Sequence, residues 1–219
     1  MAGLLRETLD RGLAAFVANR LALLAVLVLG GVLLGSYYQL PTVRAALDAF
    51  AVWKNGLGLW YPVLAFPLIG GLLPLGLIWW MRGEVPTRRS ILVVLLFWPE
   101  RGLEIHFLYA GLTVWFGTGT DTMTVLAKTA VDMFLYSALW ALPVYLLALA
   151  AGRGEAPWAL VRSVSFWRER YLPGLLANWM LWIPAVLMIY SLPVGLQLPV
   201  QNLFMVIWVL VASLIATKR

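Results

Sequence analysis

The chain has 219 residues, of which 63% are hydrophobic and only 12% charged, with a net charge of +6 and a mean hydropathy of +0.88. A soluble domain carries about 25% charged residues to cover its surface, so the composition excludes that class and points to an integral membrane protein. Disorder needs low hydrophobicity, a disulfide scaffold or thiolate metal site needs cysteine, and a transmembrane β-barrel needs alternation. This chain has no cysteine and shows long unbroken apolar runs instead.

In chain order, residues 1–20 place Leu4, Leu5, Leu9, Leu13, Phe16 and Val17 at spacings of three and four, with Arg6, Glu7, Asp10 and Arg11 opposite. That pattern predicts an amphipathic helix lying on the membrane surface. Glu7 and Asp10 argue against a mitochondrial transit peptide, and the direct run into a full apolar stretch argues against a cleaved signal peptide. A helix needs about 20 apolar residues to cross the hydrocarbon. Six stretches are predicted to do so: 21–38, 61–81, 91–116, 124–151, 172–193 and 200–217. The third contains Trp98-Pro99-Glu100-Arg101-Gly102 and Glu104, which predicts a broken or partly water-facing span. Pro184 interrupts the fifth, and the sixth starts after Pro199. Residues 21–54 therefore read as an additional N-terminal transmembrane helix with its loop, and 55–219 as the main helical domain.

The basic residues orient this map. With the N-terminus inside, the inner segments hold Arg6, Arg11, Arg20, Arg82, Arg88, Arg89, Arg153, Arg162, Arg168, Arg170, Lys218 and Arg219, while the outer ones hold only Arg44 and Lys54. Cytoplasmic loops are enriched in Lys and Arg, so both termini are predicted cytoplasmic. The expected fold is all-α: a polytopic membrane bundle of about six spans. Positive charge spread over four inner segments suits anionic headgroups rather than nucleic acid. Tyr37-Tyr38, Trp60-Tyr61, Trp79-Trp80, Trp158, Trp167 and Tyr171 fall near span ends, as interfacial anchors do. Richness in Leu, Ala, Gly and Arg hints at a bacterial gene, and so at a bacterial cytoplasmic membrane.

Ionisable side chains inside a span cost several kcal/mol and need a reason. Glu100, Arg101, Glu104, His106 and Asp132 qualify, with Lys128 at an edge. On a helix, Glu100 and Glu104 share a face and Arg101 reaches Glu104 at i+3. His106 shares another stripe with Gly102, Tyr109 and Thr113. These two faces fit either a lined aqueous or proton-handling path, or a Glu–Arg pair plus a histidine bonded to a neighbouring helix. Lys128, Asp132 and Tyr136 form an i, i+4, i+8 stripe in which Lys128 can pair with Asp132 while snorkelling to its interface. Arg101 or His106 is the expected partner of Asp132 across helices. One histidine and no cysteine leave no metal set. No serine shares the face of His106, so no catalytic nucleophile is expected. No cofactor is expected either.

Several motifs resemble a known family. Gly102-x-x-x-His106-Phe107-x-Tyr109, then Val131-Asp132, then Tyr171-Leu172-Pro173, Asn178-Trp179-x-x-Trp182-x-Pro184, and finally Pro193, Asn202, Trp208 and Ser213 stand in the order and spacing of the Mpv-seventeen/peroxisomal-membrane-protein family. The resemblance covers roughly residues 55–217, leaving the first span as an addition to that family's four. It implies a small helical protein of the channel-like kind described in inner mitochondrial, peroxisomal and vacuolar membranes. By the same resemblance, His106, Tyr109, Asp132, Asn178, Trp179 and Trp182 carry over. Leu103, Leu108, Met133, Ala138, Val186, Ile189 and Gln197 depart from the family pattern, several of them replacing polar groups by apolar ones. Fold therefore carries over better than conduction.

Two functions stand as expectations. One is a channel-like protein passing small solutes or ions, as a homo-oligomer, with Asp132 and Glu104 biasing the path toward cations. The other is a non-catalytic accessory or scaffold subunit of a larger membrane complex, packing through Gly-rich and aromatic faces. An enzyme or cofactor binder would rest on His106 alone.

Overall fold

The computed structural model describes the backbone of residues 2–216 and the side chains of residues 23–206, together with those of Val17, Arg20 and Leu21. Among them every regular element is helical. Helix α1 (Ala2–Gln39) is followed by α2 (Pro41–Gly56), α3 (Trp60–Arg82), α4 (Arg88–Phe116) and α5 (Thr122–Gly152). A short α6 (Pro157–Val161) leads to α7 (Phe166–Tyr190) and α8 (Val194–Ala216).

Helix ends obey local chemistry. Thr87 and Asp121 accept the backbone N–H groups of Ser90 and Thr124, each at 3.1 Å, and so cap α4 and α5. Gly83 ends α3 at φ 67° and Gly117 comes directly after α4 at φ 83°, conformations that strain any residue with a Cβ. Pro41 opens α2 and forces Leu40 into extended backbone, so α2 turns by 103° from the axis of α1. Arg44 braces this corner by donating to the carbonyls of Tyr37 and Tyr38 at 3.1 and 2.9 Å.

The prolines do not break the helices as the sequence predicts. Pro99 lies inside an unbroken α4, Pro184 inside α7, and α8 starts at Val194, ahead of Pro199. The residues read as a loop after the first span are largely α2. Three π-helical stretches, Pro67–Leu72, Val131–Ala141 and Phe166–Tyr171, each end two residues before a proline: Pro74, Pro143 and Pro173. A proline ring clashes with the carbonyl four residues back, and a widened i→i+5 turn relieves that contact while the helix continues.

Helices α3, α5 and α7 are long and apolar enough to cross a membrane, and α1 with α2 would make a fourth if the bent pair counts as one span. Their 23, 31 and 25 residues correspond to about 35, 47 and 38 Å, against a hydrocarbon core of about 30 Å. Helix α4 has 29 residues, enough in length, but Glu100, Arg101 and Glu104 interrupt its apolar character. The surface suits lipid: Leu96, Val114, Trp115 and Leu139 are each at least 70% exposed. Trp60 and Trp79-Trp80 stand exposed at opposite ends of α3, as interfacial anchors do.

Leu112, Phe66, Ile189, Tyr190, Leu192, Leu196 and Phe204 form the sealed centre. Close approach is set by small residues: a Cβ on Gly102 would meet the Pro62 carbonyl of α3, and one on Gly70 or Gly71 would meet Trp98. The backbone of residues 2–39 is one continuous helix. The amphipathic face assigned to Leu4, Leu5, Leu9, Leu13 and Phe16 lies outside the described side chains, and Val17 is exposed.

Candidate functional site

The π-helical stretch of α5 is the hub of the polar interior, because widened turns and Pro143 leave carbonyls for other helices. Pro143 has no N–H to pair with the carbonyl five residues back, at Ala138, and the Tyr171 hydroxyl donates to that oxygen at 2.8 Å. The Trp179 indole N–H donates to the Met133 carbonyl at 2.9 Å, and Asn178 donates to the Ser137 hydroxyl at 2.8 Å. At the far end of α7, the Tyr190 hydroxyl donates to Asp132 Oδ2 at 2.6 Å. Four polar side chains of α7 are thus clamped along one face of α5.

Helix α4 adds the second layer. Arg101 is 5% exposed; its Nη1 donates to the Tyr136 hydroxyl at 2.9 Å and lies 2.9 Å from Glu104 Oε2, a charge contact without hydrogen-bond alignment. Phe97 carries the guanidinium at 5.0 Å from its ring centre. Tyr109 is buried with its ring edge-on to Tyr190 at 5.2 Å. Glu104, Arg101, Tyr136, Tyr109, Tyr190 and Asp132 therefore form one seam through α4, α5 and α7, with Lys128 flanking Tyr190 at 6.0 Å from its ring.

Two expected contacts are corrected. Asp132 meets neither Arg101 nor His106; Tyr190 holds it, while Arg101 is occupied by Glu104 and Tyr136. Lys128 neither pairs with Asp132 nor snorkels: it is 0% exposed and its Nζ has no hydrogen-bond partner among the described residues. The i, i+4 rule fails here because the π stretch opens at Val131, between the two residues, and rotates the helix beyond it.

Glu100 is exposed and outside the seam, and Phe107 is 58% exposed. His106 is half-buried, with its ring edge-on to Phe107 and Lys54 within Coulomb range. Gly102 serves the contact with α3. Trp182 packs half-buried on the core, and Pro184 and Pro193 are also half-buried or better. Asn202 is remote from the seam and bonds the Tyr61 hydroxyl at 3.3 Å. Trp208 and Ser213 lie outside the described side chains. Sequence reasoning missed Tyr190 and Ser137; Tyr190 stands at the end of α7, where a tyrosine reads as an interfacial anchor.

No protein-family model, curated protein or solved structure matches this chain. A groove of about 250 Å³, lined by residues including Leu34, Thr120, Val125, Leu187 and Ser191, opens between α1, α5 and α7. It is mostly apolar and separate from the seam.

Proposed function

We propose that the chain is an integral membrane protein of channel-like type that passes small ions, protons foremost, along the seam of α4, α5 and α7. The observation that carries this is Lys128, an ammonium with no exposed surface and no hydrogen-bond partner among the described residues, inside an apolar helix. Such a charge costs stability that the Tyr190 ring at 6.0 Å offsets only in part, and an intramembrane ionisable group of that kind is a functional residue by default. Two hydrogen-bonded pairs lie along the seam beyond it, Tyr190 with Asp132 and Arg101 with Tyr136, and Glu104 stands in charge contact with Arg101. The seam is tightly packed, which suits protons or small cations better than larger solutes.

In this reading six helices cross a bacterial cytoplasmic membrane, α2 lies along the outer surface, and both termini are cytoplasmic. The resemblance of the His106, Asp132 and Asn178-Trp179 motifs to the Mpv-seventeen family supports the same class of protein. The test is ion flux into vesicles containing the purified chain, measured against protein-free vesicles.

A second reading has its own support. Asp132, Tyr190 and Lys128 are at most 4% exposed, as expected of interhelical fasteners in an accessory subunit. Native mass spectrometry separates the two: a homo-oligomer favours conduction, and a stoichiometric assembly with other subunits favours the accessory role.

A further inference from the structure

A second polar cluster lies apart from the seam, where the last turn of α2 meets the first turn of α3, the middle of α4, and α8. Lys54 is 8% exposed and makes no hydrogen bond or ion pair among the described residues; its ammonium lies 5.8 Å from the Tyr61 ring centre. The Tyr61 hydroxyl accepts from Asn202 Nδ2 at 3.3 Å, which leaves its own proton uncommitted. His106 is within Coulomb range of Lys54, and its ring has no hydrogen bond among the described residues. The nearest carboxylate along α2, Asp48, accepts from Tyr37 at 3.0 Å instead.

Lys54 and Tyr61, from two helices, thus meet with positive charge and without an anionic partner among the described residues, and His106 on α4 is near enough for the Lys54 charge to act on its ring. Lys54 on the last turn of α2 already complements that helix's dipole, but the dipole does not require the side chain to be drawn out of solvent. Withdrawing most of a lysine from solvent without a counter-charge is costly, and a cation beside it would raise that cost. A small anion would offset it, accepting from the ammonium, the phenol and the imidazole, each of which offers at least one donor.

We propose that Lys54, Tyr61 and His106 form a binding site for a small anion, a halide or a compact carboxylate. The site is independent of the seam and stands whether or not the chain conducts.

The test tracks the unfolding temperature of the full chain in detergent while a bulky sulfonate is exchanged for chloride or for formate at constant ionic strength. A saturable rise of a few degrees is expected, kept in Lys54→Arg and lost in Lys54→Gln. Saturation by chloride alone identifies a halide site, and by formate alone a carboxylate site. An unsaturable response in the natural chain, or the same half-saturation in Lys54→Gln, overturns the proposal. If Lys54→Gln does not fold, Tyr61→Phe serves: half-saturation moving about tenfold higher supports the site, and an unchanged value overturns it.

Discussion

Tyr190 on α7 donates its hydroxyl proton to Asp132 on α5 at 2.6 Å, and the two close the centre of the bundle with exposures of 0% and 4%. Removing the donor leaves a buried carboxyl unsatisfied, which costs about 1–3 kcal/mol. Tyr190→Phe should therefore lower the unfolding temperature clearly. Asp132→Asn, which keeps an acceptor for Tyr190, should lower it less. The double variant Tyr190→Phe/Asp132→Leu should lose less than the sum of the corresponding single changes.

Gly102 and Gly76 give opposite expectations on neighbouring helices. A Cβ at Gly102 meets the Pro62 backbone, which cannot step aside, whereas one at Gly76 meets nothing within 4 Å. Gly102→Ala should destabilise by about 1–3 kcal/mol through overpacking, and Gly76→Ala should be neutral or slightly stabilising. Thermal unfolding of both variants in one detergent checks the pair.

Asp121 carries a pH expectation. Hydrogen bonding from Thr124 holds its carboxyl below the usual carboxylate range. A carboxyl depressed in the folded state contributes stability above its unfolded value and loses it as pH falls through the folded value. The natural chain should therefore exceed Asp121→Ala in unfolding temperature at pH 7, and the gap should close in acid. A gap that persists at the lowest pH at which both remain folded contradicts the cap's electrostatic role.

The absence of cysteine gives a background for testing topology. Helix α5 separates Gly119 from Glu155, and its 31 residues are long enough to cross. With cytoplasmic termini, an impermeant maleimide should label Gly119→Cys in intact cells, and Glu155→Cys only after permeabilisation. Labelling of both from one side contradicts a crossing by α5.

Much of the helical layout is legible in the sequence because apolar runs of span length leave few alternatives; α3, α5 and α7 fall within a few residues of the expected 61–81, 124–151 and 172–193, although α7 starts earlier, at Phe166. The errors lie where a contact or a register change decides. Pro99, Pro184 and Pro199 read as breaks because the sequence does not reveal how surrounding turns absorb a proline. Helix α2 reads as a loop because Thr42, Arg44, Asp48, Lys54 and Asn55 interrupt its apolar residues. The Lys128–Asp132 pair is expected from α-helical spacing, but the helix widens at Val131. The partner of Asp132 is 58 positions away in sequence, and Tyr190 looks in isolation like one more span-end aromatic.

The most direct test of the central claim is voltage-driven proton flux into vesicles carrying the purified chain and a pH-sensitive dye. The natural chain should exceed protein-free vesicles, Lys128→Met and Asp132→Asn should lose at least about tenfold of that flux, and Glu104→Gln should reduce it, with each variant verified as folded. About 1.4 kcal/mol of barrier corresponds to such a tenfold change. Flux from the folded natural chain equal to that of empty vesicles, or unchanged in Lys128→Met and Asp132→Asn, would contradict conduction through the seam and leave the accessory role in its place.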